Sequence, residues 1–256
     1  MRAIVTGASR GIGAAVARRL AAPGARIALL ARSHDAPSHR GLEGTLAEVA
    51  KDVEAGGATA IPIAVDLRDP HAATDAAARA LVALGGELTL LVNNASALDL
   101  QSRPPPGRQS LVLDVNARGT LAVSLACVDA LKACDGAMVT LSPPVRLDKP
   151  EWIAAHPHYT LSKYAMTLAT LGFAADGVRA NTLWPRRTVA TAATQSLETV
   201  LEGAFTRGRH PDDVARAVRA LALSAHRGRC FFDDELIVLP RALDAPLDLF
   251  CEAETP

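Results

Sequence analysis

The sequence lacks an excess of charge of either sign, because 27 lysine and arginine residues balance 27 aspartate and glutamate residues. A chain without net charge has no general electrostatic attraction for nucleic acid or for an anionic membrane surface. It also lacks any uninterrupted apolar run near the roughly 18 residues that a membrane-spanning helix needs. It starts directly in a strand pattern, so we expect no signal or transit peptide. We therefore expect a cytoplasmic protein with no nucleic-acid partner and no membrane insertion.

Cysteine is scarce, and the four that occur are scattered. Cys127, Cys134, Cys230 and Cys251 include no Cys-x-x-Cys spacing. This pattern predicts no metal site, and we expect all four thiols to be reduced, with structural or incidental roles.

Short apolar runs alternate with longer helical patterns along the whole chain. The runs that predict strands are 3–7, 25–32, 59–67, 88–95, 137–142, 177–184 and 231–239. Helical patterns lie between them, near 14–22, 42–57, 70–84, 108–134, around Tyr159, and 211–225. The proline-rich run at 103–106 is too short to be a linker and indicates a surface loop. The alternation predicts one α/β domain over 1–256, a doubly wound parallel sheet of seven strands (a Rossmann fold).

A glycine-rich segment follows the first predicted strand. It reads Thr6-Gly-Ala-Ser-Arg-Gly-Ile-Gly, so its glycines are Gly7, Gly11 and Gly13. Glycines at the start of a helix let a pyrophosphate approach backbone N–H groups, where the helix dipole favours anions. The alternative is an ordinary glycine-rich turn. Three residues separate the first two glycines, which differs from the common G-x-G-x-x-G fingerprint.

Tyr159 and Lys163 are four residues apart and therefore share one face of a helix. A free tyrosine titrates near pH 10, so lowering its pKa by roughly three units requires about 4 kcal/mol of phenolate stabilisation. An ammonium in a partly desolvated cleft, together with a positively charged ring of a bound ligand, can supply that stabilisation. The pair predicts an acid–base site. Two unrelated residues on a helix surface are the alternative, because this spacing is common by chance.

These motifs resemble those of the short-chain dehydrogenase/reductase superfamily over nearly the whole chain. The shared features are TGxxxGxG at 6–13, NNA at 93–95, Asn116 and Tyr-x-x-x-Lys at 159–163. Within the superfamily the chain is most similar to the hydroxysteroid dehydrogenase-like proteins, through NNAS at 93–96, VNARGT at 115–120, LSPP at 141–144, the run 152–159 and ANTLWPRR at 180–187. The resemblance implies the strand order 3-2-1-4-5-6-7. The closest members carry a sterol-carrier domain after this one, and this chain ends before any such domain.

The resemblance implies a role for each catalytic position. Tyr159 exchanges a proton with the substrate oxygen, Lys163 also holds the nicotinamide ribose, and Asn116 kinks its helix and holds a water linked to Lys163. The family places a substrate-binding serine, usually the second of two, after the fifth strand. Here Ser142 occupies the first of those positions and Pro143 the second. Either Ser142 shifts into the role or the site works with Tyr159 alone.

Charge indicates the choice of cofactor. An acidic residue after the second strand would bind the ribose hydroxyl of NAD, whereas a basic one accommodates the phosphate of NADP. Arg32 stands there and Arg10 lies in the glycine loop, so NADP(H) is preferred and NAD(H) is possible. Ser33, His39 and Arg40 are candidates to add to this pocket. A solvated surface charge is the alternative for Arg32.

The resemblance also implies a set of cofactor contacts: Asp66 meets the adenine amino group, Leu67 gives a backbone contact, and Pro185, Val189 and Thr191 reach the nicotinamide carboxamide. Asn93, Asn94 and Ala95 have fold or ligand roles, which the sequence leaves open. The full set of candidate cofactor residues is Gly7, Ser9, Arg10, Gly11, Ile12, Gly13, Arg32, Asp66, Leu67, Asn93, Asn94, Ala95, Tyr159, Lys163, Pro185, Val189 and Thr191.

The predicted function is NADP(H)-dependent interconversion of a carbonyl and a secondary alcohol on a small or lipid-like substrate, by a homo-tetramer or homodimer. A non-catalytic NADP-binding regulatory protein and an acyl-thioester ketoreductase are the alternatives. An acidic substrate such as an acyl-CoA would suit Arg186, Arg187, Arg207 and Arg209, although a solvated basic face is the preferred interpretation. For His156 and His158, which flank Tyr159, loop or packing roles are preferred to catalysis.

Overall fold

Seven parallel strands form a single sheet in the order β3-β2-β1-β4-β5-β6-β7, which confirms the expected fold class and strand order. The computed structural model describes residues 1–37, 42–143, 145, 147–148, 150–195 and 208–238. The strands are β1 (Arg2–Thr6), β2 (Arg26–Ala31), β3 (Thr59–Ala64), β4 (Leu90–Asn93), β5 (Ala137–Leu141), β6 (Arg179–Trp184) and β7 (Cys230–Phe232).

Helices cover both faces of the sheet. In the described part of the chain they are α1 (Gly11–Leu20), α2 (Leu46–Ala55), α3 (Pro70–Leu84), α4 (Pro106–Val112), α5 (Thr120–Ala133), α6 (Pro150–Ala155), α7 (Pro157–Ala175), α8 (Ala192–Gln195), α9 (Pro211–Leu223) and α10 (Asp233–Val238). A π-helical segment, Leu113–Gly119, joins α4 to α5. The short helices α6, α8 and α10 were not expected from the sequence, because each has too few residues to show a helical periodicity of apolar side chains.

Each strand contributes alternate side chains to two apolar layers. In β1, Val5 packs in the layer under α1, α2 and α9, while Ile4 packs in the layer under α3, α5 and α7. Both residues are fully buried. Burial on two faces explains why the strands are continuously apolar, as is typical of parallel sheets.

The last strand is shorter than expected. The run 231–239 predicted one strand, but β7 ends at Phe232 and α10 starts at Asp233. Three acidic residues, Asp233, Asp234 and Glu235, form the first turn of α10. Acidic side chains stabilise the positive end of a helix dipole, so this sequence favours a helix start directly after the strand. Residue 239 lies outside the described residues.

The helical pattern near 108–134 is one stretch, Pro106–Ala133, interrupted by the π-helical segment. By length and composition alone this stretch is apolar enough to cross a membrane, although polar and charged residues interrupt it. Half of its most apolar window is buried inside the protein, and α5 packs on α3 and β4. The core helix of a folded domain passes the same test.

Candidate active site

The predicted site residues follow the carboxyl ends of neighbouring strands. Gly7 follows β1, Asn94 follows β4, Ser142 follows β5 and Pro185 follows β6. These four strands are adjacent in the sheet. Because all strands are parallel, their carboxyl ends meet at one edge, where ligands of doubly wound folds bind. The fold therefore brings the motifs together.

The glycine loop is packed tightly against the end of β4. Gly7 has φ +65°, and a Cβ atom there would lie 2.8 Å from the Cα of Ala95. The Asn94 amide donates to the carbonyl oxygens of Thr6 (2.8 Å) and Gly7 (3.2 Å). A Cβ on Gly13 would overlap the Gly7 carbonyl oxygen. The Asn94 side chain thus holds the loop in shape, which is a fold role.

The backbone at the start of α1 is available to an anion. Arg10 is its N-cap residue; among the described residues none caps the helix with a side chain, and the first turn holds no acidic residue. Thr45 and Asp69 do cap α2 and α3. Free N–H groups at a helix N-terminus bind phosphate groups, so this end of α1 fits a pyrophosphate. Ser9 beside it is buried, and Ile12 packs against the core.

Two guanidinium groups lie close together beside this loop. Burial lowers the pKa of Arg10, and the positive charge of Arg32 lowers it further. Arg10 donates from Nη1 to the carbonyl oxygen of Leu42 at 3.2 Å, and Arg32 is exposed. Adjacent cations that repel each other are relieved by an anion between them, so the pair fits a phosphate group. Ser33 is buried nearby in the chain, whereas His39 and Arg40 lie outside the described residues.

Asp66 is engaged by a residue that the sequence did not single out. Its Oδ2 atom accepts from Arg68 Nε at 2.9 Å and Nη2 at 2.6 Å, and its Oδ1 atom accepts from the Arg68 backbone N–H at 3.1 Å. Partial burial raises the pKa of Asp66, but the hydrogen bonds from Arg68 outweigh burial and hold the pKa below its usual value. An adenine amino group at this carboxylate would share it with Arg68. Leu67 is buried next to it.

Asn93 is fully inside the protein. Its amide donates to the hydroxyl groups of Ser124 (2.9 Å) and Thr140 (3.3 Å), which ties β4 to α5 and β5. The alternative of a fold role, left open by the sequence, accounts for these contacts.

Tyr159 and Lys163 lie one turn apart on α7, as their spacing predicts. The Lys163 Nζ atom donates to the carbonyl oxygen of Leu141, the last residue of β5, at 2.9 Å. Burial lowers the pKa of Lys163 to about 7 and raises the pKa of Tyr159 to about 12. Without a bound cofactor, burial thus dominates the tyrosine pKa, and the lowering expected from Lys163 together with a positively charged ring stays a prediction. A buried lysine with such a pKa is only partly charged at neutral pH, so it stabilises the phenolate weakly.

Asn116 links the loop after β4 to the helix that carries Tyr159. It is completely buried in the π-helical segment. Its amide donates to the Ala97 carbonyl oxygen (3.0 Å) and to Ser162 Oγ (2.9 Å), and its Oδ1 atom accepts from the Ala97 N–H at 2.7 Å. Ser162 in turn donates to the Tyr159 carbonyl oxygen at 2.7 Å. A π-helical turn at this point aims Asn116 at both elements.

The hydroxyl of Ser142 is occupied elsewhere. The side chain is buried, and its Oγ atom lies 2.7 Å from the Oγ1 atom of Thr167, two turns beyond Tyr159 on α7. Its backbone N–H donates to the Leu183 carbonyl oxygen. This serine binds α7 to β5, and Pro143 after it has no hydroxyl to offer.

The segment after β6 crosses above the glycine loop. Val189 is buried and pairs with Arg209 in an isolated bridge. The Cγ2 atom of Thr191 lies 3.2 Å from the position that a Cβ on Gly11 would take. Pro185 and Thr191 are thus brought to the same edge as α1, beside the predicted cofactor site.

The expected basic face at 186–209 is paired with acids in the described residues. Arg186 Nε lies 2.7 Å from Asp234 Oδ2, and its guanidinium stacks 3.8 Å from the Phe232 ring centre. Arg209 bonds the fully buried Asp233 at 2.9 Å. Arg186 stays exposed to solvent, as the preferred interpretation expects, but it is paired with acids, and the Arg209 side chain is partly buried. The sequence analysis did not single out the acidic residues after β7, which are the partners of these arginines.

Arg187 is exposed, and Arg207 lies outside the described residues. His158 is buried, and its Nε2 atom lies 3.3 Å from Asp99 Oδ1, a packing contact between α7 and the loop after β4.

Comparison with known proteins shows which family this chain matches. A family model described as short chain dehydrogenase matches residues 1–200. Hydroxysteroid dehydrogenase-like protein 2 of Mus musculus is 41% identical over 199 residues, which are 75% of this chain and 40% of the mouse protein. The chain therefore spans less than half of that relative's length.

Solved structures agree in fold. A short chain dehydrogenase from Mycobacterium thermoresistibile superimposes with a TM-score of 0.81 at 38% identity, covering 91% of this chain and 85% of that chain. Short chain dehydrogenases from Mycobacterium paratuberculosis bound to NAD (26% identity, 90% and 94% covered) and from Burkholderia cenocepacia with NADP (29% identity, 90% and 95% covered) both give 0.73. The chain thus belongs to the short-chain dehydrogenase family, oxidoreductases that act on CH–OH groups with a nicotinamide cofactor.

Proposed function

We propose that this protein interconverts a carbonyl group and a secondary alcohol with NADP(H), using Tyr159 as the general acid or base. One arrangement carries the proposal. Lys163 Nζ is anchored at the carboxyl end of β5, one turn of α7 from Tyr159, and buried Asn116 ties that turn to the loop after β4. Two titratable groups held at the ligand-binding edge of the sheet are what acid–base chemistry at a bound carbonyl requires.

In the reduction of a carbonyl group, each of these residues has its own role. Tyr159 donates its hydroxyl proton to the carbonyl oxygen of the substrate and is left as a phenolate. NADPH, when bound, supplies the hydride. Lys163 and the α1 N-terminus would hold the cofactor, at its nicotinamide ribose and its pyrophosphate respectively. Because burial raises the pKa of Tyr159 to about 12, its hydroxyl is protonated at neutral pH when no cofactor is bound, and it can act as the proton donor.

The preference for NADP(H) over NAD(H) rests on charge. The fold does not choose between the two cofactors, because relatives that hold NAD and relatives that hold NADP share it. Arg10 and Arg32 are close enough for the second to lower the pKa of the first. A 2′-phosphate between them would form charge-assisted hydrogen bonds with both guanidinium groups.

The substrate is proposed to be small or lipid-like. The name of the mouse relative points to hydroxysteroids, but the match covers only 40% of that protein. An acyl-thioester substrate has less support, because Asp234 and Asp233 already neutralise Arg186 and Arg209. Exposed leucines on α5 and α7 support a homo-oligomer, and a cytoplasmic location stays a prediction.

A non-catalytic NADP-binding role is favoured by one observation, the engagement of Ser142 with Thr167. The experiment that separates it from the enzyme is a comparison of the unmodified protein with Tyr159→Phe. Thermal-shift titrations with NADPH, NADP, NADH and NAD measure cofactor binding, and NADPH consumption with a panel of ketones measures turnover.

We expect both proteins to be stabilised by NADPH and only the unmodified one to turn over. Equal turnover by Tyr159→Phe would contradict the mechanism. Selective stabilisation by NADPH without turnover of any ketone or alcohol would favour the regulatory role. No stabilisation by any of the four nucleotides would overturn the cofactor site.

A further inference from the structure

The site needs a hydroxyl group that the residues after β5 do not offer. Ser142 is 2% exposed, and its Oγ atom is held by Thr167 at 2.7 Å. Pro143 follows it. A tyrosine whose burial opposes the phenolate gains from a second donor when its proton leaves. The donor therefore has to come from another part of the sheet edge.

Ser96 is in position to be that donor. It directly follows the Asn93–Ala95 segment, its side chain is exposed, and its hydroxyl lies near enough to the Tyr159 hydroxyl to lower the tyrosine pKa against the effect of burial. The Ser96 Oγ atom also donates to the Ala97 carbonyl oxygen, at a long 3.3 Å. This second contact is weak in its geometry, so the hydroxyl can turn towards a phenolate at little cost.

Asn116 fixes the backbone that carries Ser96. The Asn116 side chain binds both the N–H (2.7 Å) and the carbonyl oxygen (3.0 Å) of Ala97. Its remaining donor goes to Ser162, which holds the Tyr159 backbone. One buried side chain thus sets Ser96 and Tyr159 relative to each other.

We propose that Ser96 is a catalytic residue that donates a hydrogen bond to the Tyr159 oxygen and stabilises the phenolate, while Asn116 positions it. This inference rests on the proposed function. In the reduction direction the Tyr159 O–H bond breaks, its proton forms the O–H bond of the product alcohol, and the hydride from NADPH reduces the carbonyl carbon. Ser96 keeps its own proton, and its hydroxyl hydrogen points at the negatively charged phenolate oxygen of Tyr159.

The test compares Ser96→Ala with Ser142→Ala, each in the oxidation of an alcohol by NADP, where Tyr159 acts as the base. Loss of a hydrogen bond to a developing oxyanion lowers kcat by about 100-fold. It also moves the rising limb of the plot of kcat against pH to higher pH by about one unit. We expect both effects in Ser96→Ala, partial rescue in Ser96→Thr, and neither effect in Ser142→Ala, whose loss is confined to stability.

A second measurement does not need a substrate. The chain has two tyrosines, Tyr159 and Tyr164, so in a Tyr164→Phe background the ultraviolet tyrosinate signal reports Tyr159 alone. At one fixed alkaline pH, chosen where circular dichroism shows the fold intact, adding Ser96→Ala should lower the tyrosinate fraction about tenfold. Adding Ser142→Ala should not change it. The neighbouring titratable groups Lys163, His158 and Asp99 are the same in all variants.

The outcomes separate this inference from the function it rests on. An unchanged tyrosinate fraction and a kcat within about threefold in Ser96→Ala would overturn the role of Ser96. The same shifts in Ser142→Ala would assign the role to Ser142 instead. If the unmodified chain turns over no alcohol or ketone, the proposed function fails, and the tyrosinate measurement still decides whether Ser96 stabilises the phenolate.

Discussion

At the scale of single residues, the site combines groups that the protein interior disfavours in their charged forms. Lys163 is 5% exposed and has a carbonyl oxygen rather than a carboxylate as its hydrogen-bond partner. Its pKa is lowered to about 7 by burial, and that of Tyr159 is raised to about 12. Groups with pKa values perturbed in this way cluster at functional sites, where binding of a charged ligand changes their protonation.

The buried lysine predicts a pH-dependent stability. Its pKa in the folded protein, about 7, lies below the roughly 10.4 of an unfolded chain, so between these values the unfolded state binds more protons. The cost of burying Lys163 is therefore complete below about pH 7 and shrinks as the pH rises. Without nucleotide, Lys163→Met should raise the melting temperature by about 5 °C at pH 7 and by less at about pH 9.5.

Differential scanning calorimetry of both proteins across this pH range measures the difference. A difference in melting temperature that is the same at both pH values would contradict the lowered pKa of Lys163. The variant is a probe of stability only, because Lys163 belongs to the proposed catalytic machinery.

Arg32 predicts cofactor selectivity. Removing a charge-assisted contact to the 2′-phosphate costs about 1.5–3 kcal/mol, so Arg32→Ala should raise the Kd of NADPH roughly 10- to 100-fold. The Kd of NADH should change less than about twofold, since NADH has no phosphate there. Arg26→Ala is a matched control on β2, because Arg26 starts the strand and donates to the Ala83 carbonyl oxygen at 2.7 Å. Calorimetric titration gives both constants, and equal loss for the two cofactors would rule out the pocket.

At the scale of elements, the π-helical segment is packed against the loop after β3. A Cβ on Gly119 would lie 2.5 Å from the Leu67 carbonyl oxygen, so only glycine allows this approach. The segment also carries Asn116, and its close seating sets the distance between the loops after β3 and β4. The register of this one turn thus determines where two parts of the site lie.

This packing predicts opposite effects of the same substitution at two helical glycines. Gly119→Ala should lower the free energy of unfolding by about 1–3 kcal/mol, because the added methyl group must displace the backbone of the loop after β3. Gly172→Ala in α7, where a Cβ meets nothing within 4 Å, should raise it by up to about 1 kcal/mol through helix propensity. Urea unfolding measures both, and a stabilised Gly119→Ala would show that the segment is not closely seated.

At the scale of the whole molecule, two neighbouring helices leave large apolar side chains in solvent. Leu121 and Leu125 on α5 are 41% and 60% exposed, and Leu161 and Leu168 on α7 are 60% and 64% exposed. Residues four and seven apart share a helix face, and α5 packs beside α7. Large exposed apolar side chains on two adjacent helices are typical of a protein–protein contact, which supports the proposed homo-oligomer.

The expected test is a change of assembly without a change of fold. Leu125→Glu combined with Leu168→Glu should convert the oligomer to a monomer, because a buried unpaired carboxylate is strongly disfavoured at an interface. Val82→Glu on α3, where Val82 is 81% exposed, is the control that should leave the mass unchanged. Light scattering after size exclusion gives the masses. A monomeric unmodified protein, or an unchanged mass in the double variant, would contradict the proposal.

The sequence by itself determined the features that depend on local spacing. Tyr159 and Lys163 share a helix face because they are four residues apart, and alternating apolar runs predict strands that only a parallel, two-sided sheet can bury. The glycine loop was predictable for the same reason, since its glycines and α1 are contiguous in the chain. The seven-stranded order followed from the family resemblance carried by these motifs.

Only the tertiary structure decided which groups meet across large separations. Ser142 and Thr167 are 25 residues apart, and Arg186 and Asp234 are 48 apart, so no local pattern relates them. Ser96 likewise comes near Tyr159 only because Asn116 in the π-helical segment joins the loop after β4 to α7. A hydroxyl or guanidinium group bonds whichever partner the packed chain places within about 3 Å, and that partner is set by the whole fold rather than by neighbours in sequence.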